Sequence, residues 1–395
     1  MVTPLGWGQL QIGDADPIVL NRKAPARIGC WRCLGISNGS ARAKLKKSRE
    51  KSSGLSRCGV LGKPRRMKPQ ITMETANHRE IETADMFFDV HTHVFPEEAA
   101  RKALPVMARR SGLVPCGDGT LPGLEAAMEA LEIWGEGLGR GGADRAGDQA
   151  GVACADGQEK PDSSQCQVVR KHTPTPHAML QPVATRVGQA AGINRFLLEQ
   201  REQHPRVCSF GALHPLDENL PKALEMLKKQ GFFGVKIHPD YQGVFIDDPR
   251  LAPLWQAAQA LQFPVLMHCG LDIGFPPPYR ATPEGLARLL DAYPRLSTIL
   301  AHMGGYCMWQ GVARHIAGRP GVYLDTAMSV RGLDAAQLAA LITLHGPERV
   351  LFGSDWPWGN PAEHVGQLLD TGLSDQVLQN IFYGNAARLF GLEIA

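Results

Sequence analysis

From residue 86 onward the chain alternates short apolar runs with longer stretches of helical period, and this alternation leaves few possible folds. The strand-like runs fall at Phe87–His91, Leu180–Ala184, Val207–His214, Gly234–His238, Val265–His268, Thr298–His302, Val322–Asp325 and Val350–Gly353. Between them lie helix-period segments that include Leu220–Lys229, Leu251–Leu261, Pro283–Ala292 and Ala335–Leu344, and Val377–Leu389 follows the last run. Strand, helix and parallel strand connect in a right-handed sense, and eight such repeats are the number that closes a barrel. The expectation is an α/β chain folded as a (β/α)8 TIM barrel over residues 86–395.

Two stretches break the rhythm. Residues 1–85 keep neither the strand nor the helix period and are expected to form a disordered leader. Because Met86 stands immediately before the first strand-like run, the natural start is expected there, with the leader an upstream translation artefact or a dispensable tail. After the helical stretch Leu121–Leu131, residues 135–176 are rich in Gly, Asp and Gln without periodicity, which reads as a disordered insertion before the second strand. An insertion that precedes a strand emerges at the N-terminal face of a barrel, opposite the face where barrel active sites form.

Charge separates the same pieces. Residues 1–80 hold 16 Lys+Arg against 5 Asp+Glu, which leaves 26 against 34 for the rest of the chain. The acidic barrel does not suit the phosphate backbone of a nucleic acid, so a nuclease of similar fold is disfavoured. No apolar run reaches the roughly 18 residues of a membrane span, and the first residues lack the order of a secretory signal. The basic, Ser-rich stretch 22–70 bears only a weak likeness to an organelle transit peptide. Nine scattered cysteines read as reduced thiols of a cytoplasmic protein, and the lone C-x-x-C at Cys30 and Cys33 has no second pair to complete a zinc site.

Six of the thirteen histidines, His91, His93, His214, His238, His268 and His302, stand at or just beyond the ends of the expected strands. Every strand of a parallel barrel aims its C-terminal end at one mouth, so residues far apart in sequence converge there. His91 and His93, two apart on a strand, project to the same side and can reach one ion. His268 and His302 each follow an apolar run and precede glycines that would let a substrate approach the main chain. Asp355, in Leu-Phe-Gly-Ser-Asp-Trp-Pro, supplies a carboxylate after the eighth run. Alone each has a bland reading, a core histidine or a helix cap; the convergence is what points to a divalent metal, expected to be zinc.

Asp89-Val-His91-Thr-His93, Gly234-Val-Lys-Ile-His-Pro239, the strand-end His268, Ala301-His-Met-Gly-Gly305, Leu351-Phe-Gly-Ser-Asp-Trp-Pro357 and the closing Gly384-Asn-Ala-Ala-Arg-Leu-Phe-Gly-Leu392 together resemble the amidohydrolase superfamily, in particular its amidohydrolase-related (amidohydrolase 2) family. The resemblance implies that His91, His93, His268 and Asp355 bind one ion and that His302 is a catalytic residue beside it. In binuclear members a lysine placed like Lys236 is carboxylated and bridges a second ion; the simpler reading is an ammonium that pairs with Asp355 or a substrate carboxylate. His214 and His238, each followed by proline, are expected to line or support the site. Arg280, in a proline-stiffened loop, could clamp a carboxylate, and Trp356 offers an apolar wall beside Tyr306, Trp309 and Trp358.

The leading expectation for activity is hydrolysis of a small amide, lactone or ester by a metal-activated water, with Asp355 taking the proton and His302 polarising the carbonyl. The alternative is a metal-dependent decarboxylase acting on a small carboxylic acid, which would use the same cage. A non-catalytic scaffold has no evident need for a complete ligand set. The partner expected is a small-molecule substrate, with no nucleic acid and no membrane, and a homodimer is a candidate assembly.

Overall fold

The computed structural model describes residues 87–139 and 177–392. The leader read over 1–85 and positions 140–176 of the insertion lie outside the described residues.

Among the described residues, nine short strands make eight staves. β1 (Asp89–Thr92), β2 (Ala178–Leu180) and β3 (Val207–Ser209) pair in parallel as one sheet. β4 (Gly211–Ala212), β5 (Val235–Ile237), β6 (Val265–Met267), β7 (Thr298–Leu300), β8 (Val322–Asp325) and β9 (Val350–Leu351) pair in parallel, in that order, as a second. β3 and β4 are halves of one stave that changes partners at Phe210. The Phe210 amide donates to the Leu180 carbonyl at 3.0 Å, and the next amide, Gly211, donates to the Gly234 carbonyl at 2.8 Å. At the other seam the Val90 amide donates to Phe352 O at 2.9 Å and the Asp355 amide to His91 O at 2.8 Å, so the first stave is tied to the last. This is the (β/α)8 TIM-barrel architecture that the alternation implies.

Burial on both faces explains the composition of the staves. Val265–Met267 and Thr298–Leu300 are buried at every position, so they carry no polar alternation. The surrounding helices bury one stripe each. In Leu220–Lys229 the buried Leu220, Leu224 and Leu227 are spaced four and three apart. Pro283–Ala292 starts where a helix should: the Thr282 hydroxyl accepts from the Gly285 amide at 3.2 Å, and proline fills the first helical position. Near the N-terminal ends of β1 and β5 the Phe390 ring lies 6.3 Å from Phe88 and 5.8 Å from Phe233, sealing that end of the core.

Four details differ from the sequence reading. The second strand sits earlier, at Ala178–Leu180, because Pro182 has no amide hydrogen to extend the ladder. The final helix is three pieces, Asp375–Gln379, Asn380–Gly384 and Asn385–Phe390, the middle one a π turn whose Ile381 and Phe382 carbonyls accept from Phe352 and Phe88. A helix not anticipated at all, α1 (Glu97–Ser111), follows β1; Pro105 in its interior and only two buried residues, Ala100 and Leu104, hide its period. It ends at Gly112, whose φ of 73° is left-handed. α2 (Leu121–Gly139) continues several residues into the range read as insertion. Among the described residues, no helix is long and apolar enough to cross a membrane, and Cys116, Cys208, Cys269 and Cys307 are free thiols.

Candidate active site

The C-terminal ends of β1 and β9 bring three donors together. His93 Nε2 lies 3.2 Å from His91 Nε2 and 3.1 Å from Asp355 Oδ1, and His91 Nε2 lies 3.4 Å from the same oxygen. Asp355 (φ 67°) and His302 (φ 60°) occupy the left-handed region that residues with a Cβ rarely adopt. Such strain persists only where the surroundings enforce it, and it clusters at functional sites.

The hydrogen bonds of the other ring nitrogens fix where the protons are. A carbonyl or carboxylate oxygen can only accept, so His93 Nδ1–H donates to Gln181 O at 2.6 Å and His91 Nδ1–H donates to Asp325 Oδ2 at 2.9 Å. Both Nε2 atoms are then bare lone pairs, turned toward each other and toward a carboxylate. The Lys236 ammonium donates to the His91 lone pair at 2.9 Å, while that of His93 meets only other electron-rich atoms among these partners. His302 Nδ1–H donates to Ala327 O at 3.2 Å, so its Nε2 accepts from His268 Nδ1–H at 2.9 Å. That leaves His268 Nε2 as a further bare lone pair, buried and without a hydrogen-bond partner. Neutral imidazoles with inward lone pairs beside a carboxylate are the donor set of a divalent cation, and the Asp325–His91 bond is the outer support such ligands need. The residues therefore fit a metal.

Electrostatics agree. Burial, reinforced by Lys236, holds His91 well below the usual imidazole range. Burial does the same for His268 and His238, and lowers His302. Burial alone would raise Asp355, and the pull of His91, His93 and His302 brings its carboxyl down to about 2; that pull needs protonated rings, so with the imidazoles neutral it is a bound cation that would keep the carboxylate ionised. Burial lowers Lys236 to about 8 against the opposing pull of Asp355 and Asp325. Asp89 serves the seam: its carboxylate accepts from the amides of His91 and Ser354 and from the Ser354 hydroxyl, and burial pushes it up to about 7.

Of the anticipated residues, His91, His93 and Asp355 are gathered as one trio with donor atoms within 4.8 Å of one another. His268 is not in that trio; it reaches it through His302, whose ring lies 5.2 Å from that of His91. His238 stacks on His268 at 4.1 Å and lies 3.4 Å from Asp272. His214 accepts from the Leu216 amide and shapes its own turn. Arg280 faces Asp240 at 3.4 Å, so its clamp already has a carboxylate of this chain. Trp356 is buried, and Gly117 packs so closely on it that a Cβ there would lie 2.5 Å from the indole. Gly270, expected to admit a substrate, instead admits the Tyr306 main chain. The sequence reading missed Asp325, Gln181, Asp272 and Tyr241. Asp325 carried a signal, since it ends an apolar run as the histidines do.

A barrel with such a donor set has the build of a metal-dependent TIM-barrel enzyme. This chain belongs to the Amidohydrolase family Amidohydro_2, whose model matches residues 88–392. It is 28% identical over 261 residues to the gamma-resorcylate decarboxylase of Polaromonas sp. (strain JS666 / ATCC BAA-500), covering 53% of this chain and 78% of that protein. Among solved structures, an uncharacterized TIM-barrel protein from Bordetella bronchiseptica shares the fold with a TM-score of 0.52 at 17% identity, covering 78% of this chain and 98% of that one. So does the dihydroxybenzoic acid decarboxylase of Polaromonas sp. JS666, with bound manganese and the inhibitor 2-nitroresorcinol, at TM-score 0.50 and 21% identity, covering 78% and 98%.

These relatives overturn the expectation of a hydrolase: the protein matched at 28% identity is a decarboxylase. The reason is physical. A metal held by imidazoles and a carboxylate stabilises negative charge on oxygen whether water attacks or carbon dioxide leaves, so ligand spacing does not encode the reaction. The expectation of zinc finds no specific support, since imidazoles with a carboxylate suit several divalent ions.

Proposed function

We propose that this chain is a metal-dependent decarboxylase of a hydroxylated aromatic carboxylic acid. The supporting observation is the 28% identity with gamma-resorcylate decarboxylase across 78% of that enzyme. His91, His93 and Asp355 would hold the ion, and the family resemblance adds His268, whose Nε2 has no hydrogen-bond partner, as fourth donor. The imidazole-rich set suits zinc, and the relative carries manganese, so either ion can serve the proposal. When bound, the ion would supply positive charge to orient the acid and stabilise anionic oxygen.

The chain's own groups manage the proton. Loss of carbon dioxide from an aryl carboxylate needs a proton on the ring carbon that carries the carboxylate; the electron pair of the broken bond then restores the ring. Asp355, held as a carboxylate, can accept a proton from a substrate hydroxyl and return it to that carbon. His302, with Nδ1–H fixed on Ala327 O, presents only Nε2 toward its neighbours, so it accepts rather than donates. Trp309 Nε1–H donates to His302 O at 3.0 Å and fixes the turn that carries it. The test is incubation of the chain, loaded with manganese or with zinc, with 2,6-dihydroxybenzoate. Resorcinol and carbon dioxide in equal amounts are expected. Absence of carbon dioxide from this acid and from a panel of hydroxybenzoates, with either ion bound, defeats the reading.

A further inference from the structure

α1 stands in the connection after the first stave, yet its last turn touches the loop after β6. Arg110 Nε donates to Gly274 O at 2.6 Å, and its guanidinium lies 3.8 Å from the centroid of the Phe275 ring. From there a file of rings runs inward. Phe275 meets Tyr241 edge to face at 4.8 Å, Tyr241 meets His238 at 4.7 Å, and His238 stacks on His268 at 4.1 Å. The same turn touches His238 a second way: the Gly274 amide donates to Asp272 Oδ1 at 2.7 Å, and Asp272 Oδ2 lies 3.4 Å from His238 Nε2. Beyond α1 the chain is tied to the loop after β9, where the Cys116 amide donates to Pro357 O at 2.8 Å. The segment from Arg110 to Cys116 therefore links the loops of two different staves.

We propose that Arg110 is a positioning residue that clamps Phe275 and thereby fixes the edge-to-face pair of Phe275 and Tyr241, whose planes stand at 77°, as the angled corner in which a planar aromatic substrate rests. The substrate class rests on the decarboxylase reading above; the clamp does not. Two features of guanidinium make the position specific to arginine. Its planar face stacks on a ring while its Nε–H reaches a carbonyl, and an ammonium can do one or the other. Arg110 is exposed and caps no core, so its replacement leaves the barrel intact.

The experiment compares the metal-loaded wild type with Arg110→Gln and Arg110→Lys. Amide hydrogen exchange across 270–276 is expected to quicken about tenfold in Arg110→Gln, the loss of one cation–π contact and one charged hydrogen bond. KM for 2,6-dihydroxybenzoate is expected to rise about tenfold with kcat within about twofold, because binding geometry and not the proton transfer has changed. Arg110→Lys keeps the charge without the plane and should recover less than half of either effect. Unchanged exchange in Arg110→Gln overturns the clamp. Faster exchange with an unchanged KM overturns the positioning role, and full rescue of KM by lysine would mean the charge itself binds the acid. A wild type that turns over no acid defeats the decarboxylase reading alone, and the exchange comparison still decides the clamp.

Discussion

Two sets of buried histidines can be set side by side. At the mouth are His91, His268 and His302; the second pair, His345 and His364, lies outside the groups of donors that could hold a metal. Burial lowers the basicity of every member, and His345 and His364 are brought to about 4. Each outlying ring donates to one carbonyl, His345 Nε2–H to Val322 O at 2.9 Å and His364 Nδ1–H to Asn360 O at 3.0 Å, and its other nitrogen meets nothing. At the mouth the remaining nitrogens of His91 and His93 instead face each other and Asp355. Depressed basicity is thus common to both sets and marks burial; mutual approach of lone pairs is what separates the candidate binding centre from isolated core rings.

The contrast can be broken most directly at Asp355. Asp355→Asn removes the carboxylate of the trio, and turnover of 2,6-dihydroxybenzoate should fall by about 10³-fold, with bound metal lost by elemental analysis. His364→Leu in the same assays should stay within about twofold. Equal losses in both variants would erase the distinction between the two sets.

A smaller effect is expected one bond further out. Asp325→Asn leaves all four proposed donors in place but loses the acceptor that fixes His91 Nδ1–H. Metal affinity, measured by competition with a chelator, should drop by roughly 10- to 100-fold. An unchanged affinity would mean that the His91 tautomer is set by something other than Asp325.

Acid sharpens the comparison least, because both sets respond in the same direction. The folded chain keeps these imidazoles neutral below the ordinary value of 6.5, while the unfolded chain protonates them there. The unfolded state thus binds more protons, and stability present above 6.5 is lost as pH falls below it. The melting temperature of the metal-free protein should drop by on the order of 5 °C between pH 7 and pH 5. His345→Leu with His364→Leu should lessen the drop without altering acid release of metal from the loaded protein. A melting temperature that rises on acidification would contradict the burial of these rings as neutral species.

Much of this was legible in the chain. The staves could be read because parallel strands buried on both faces leave uninterrupted apolar runs, and the pairing of His91 with His93 follows from strand periodicity alone. Asp355 could be placed because all stave ends share one mouth. What escaped depended on contacts between distant residues. Arg280 looked free for a substrate until Asp240, forty positions away, proved to face it. Asp325 looked like the end of a run because its role is a hydrogen bond to a ring 234 positions earlier. α1 escaped because Pro105 interrupts the one local signal that would have shown it. The choice between hydrolysis and decarboxylation escaped because the proposed cage would serve both chemistries.

The brace between Asp89 and Ser354 joins residues 265 positions apart. Contacts of such separation carry a high loop-closure cost and form late in folding. His91 and His93 leave the ribosome long before Asp355, so an ion that needs all three has no complete seat on a nascent chain. Metal capture by the proposed trio would then report that the last stave has arrived, and the ion would stabilise only those molecules that have finished the ring.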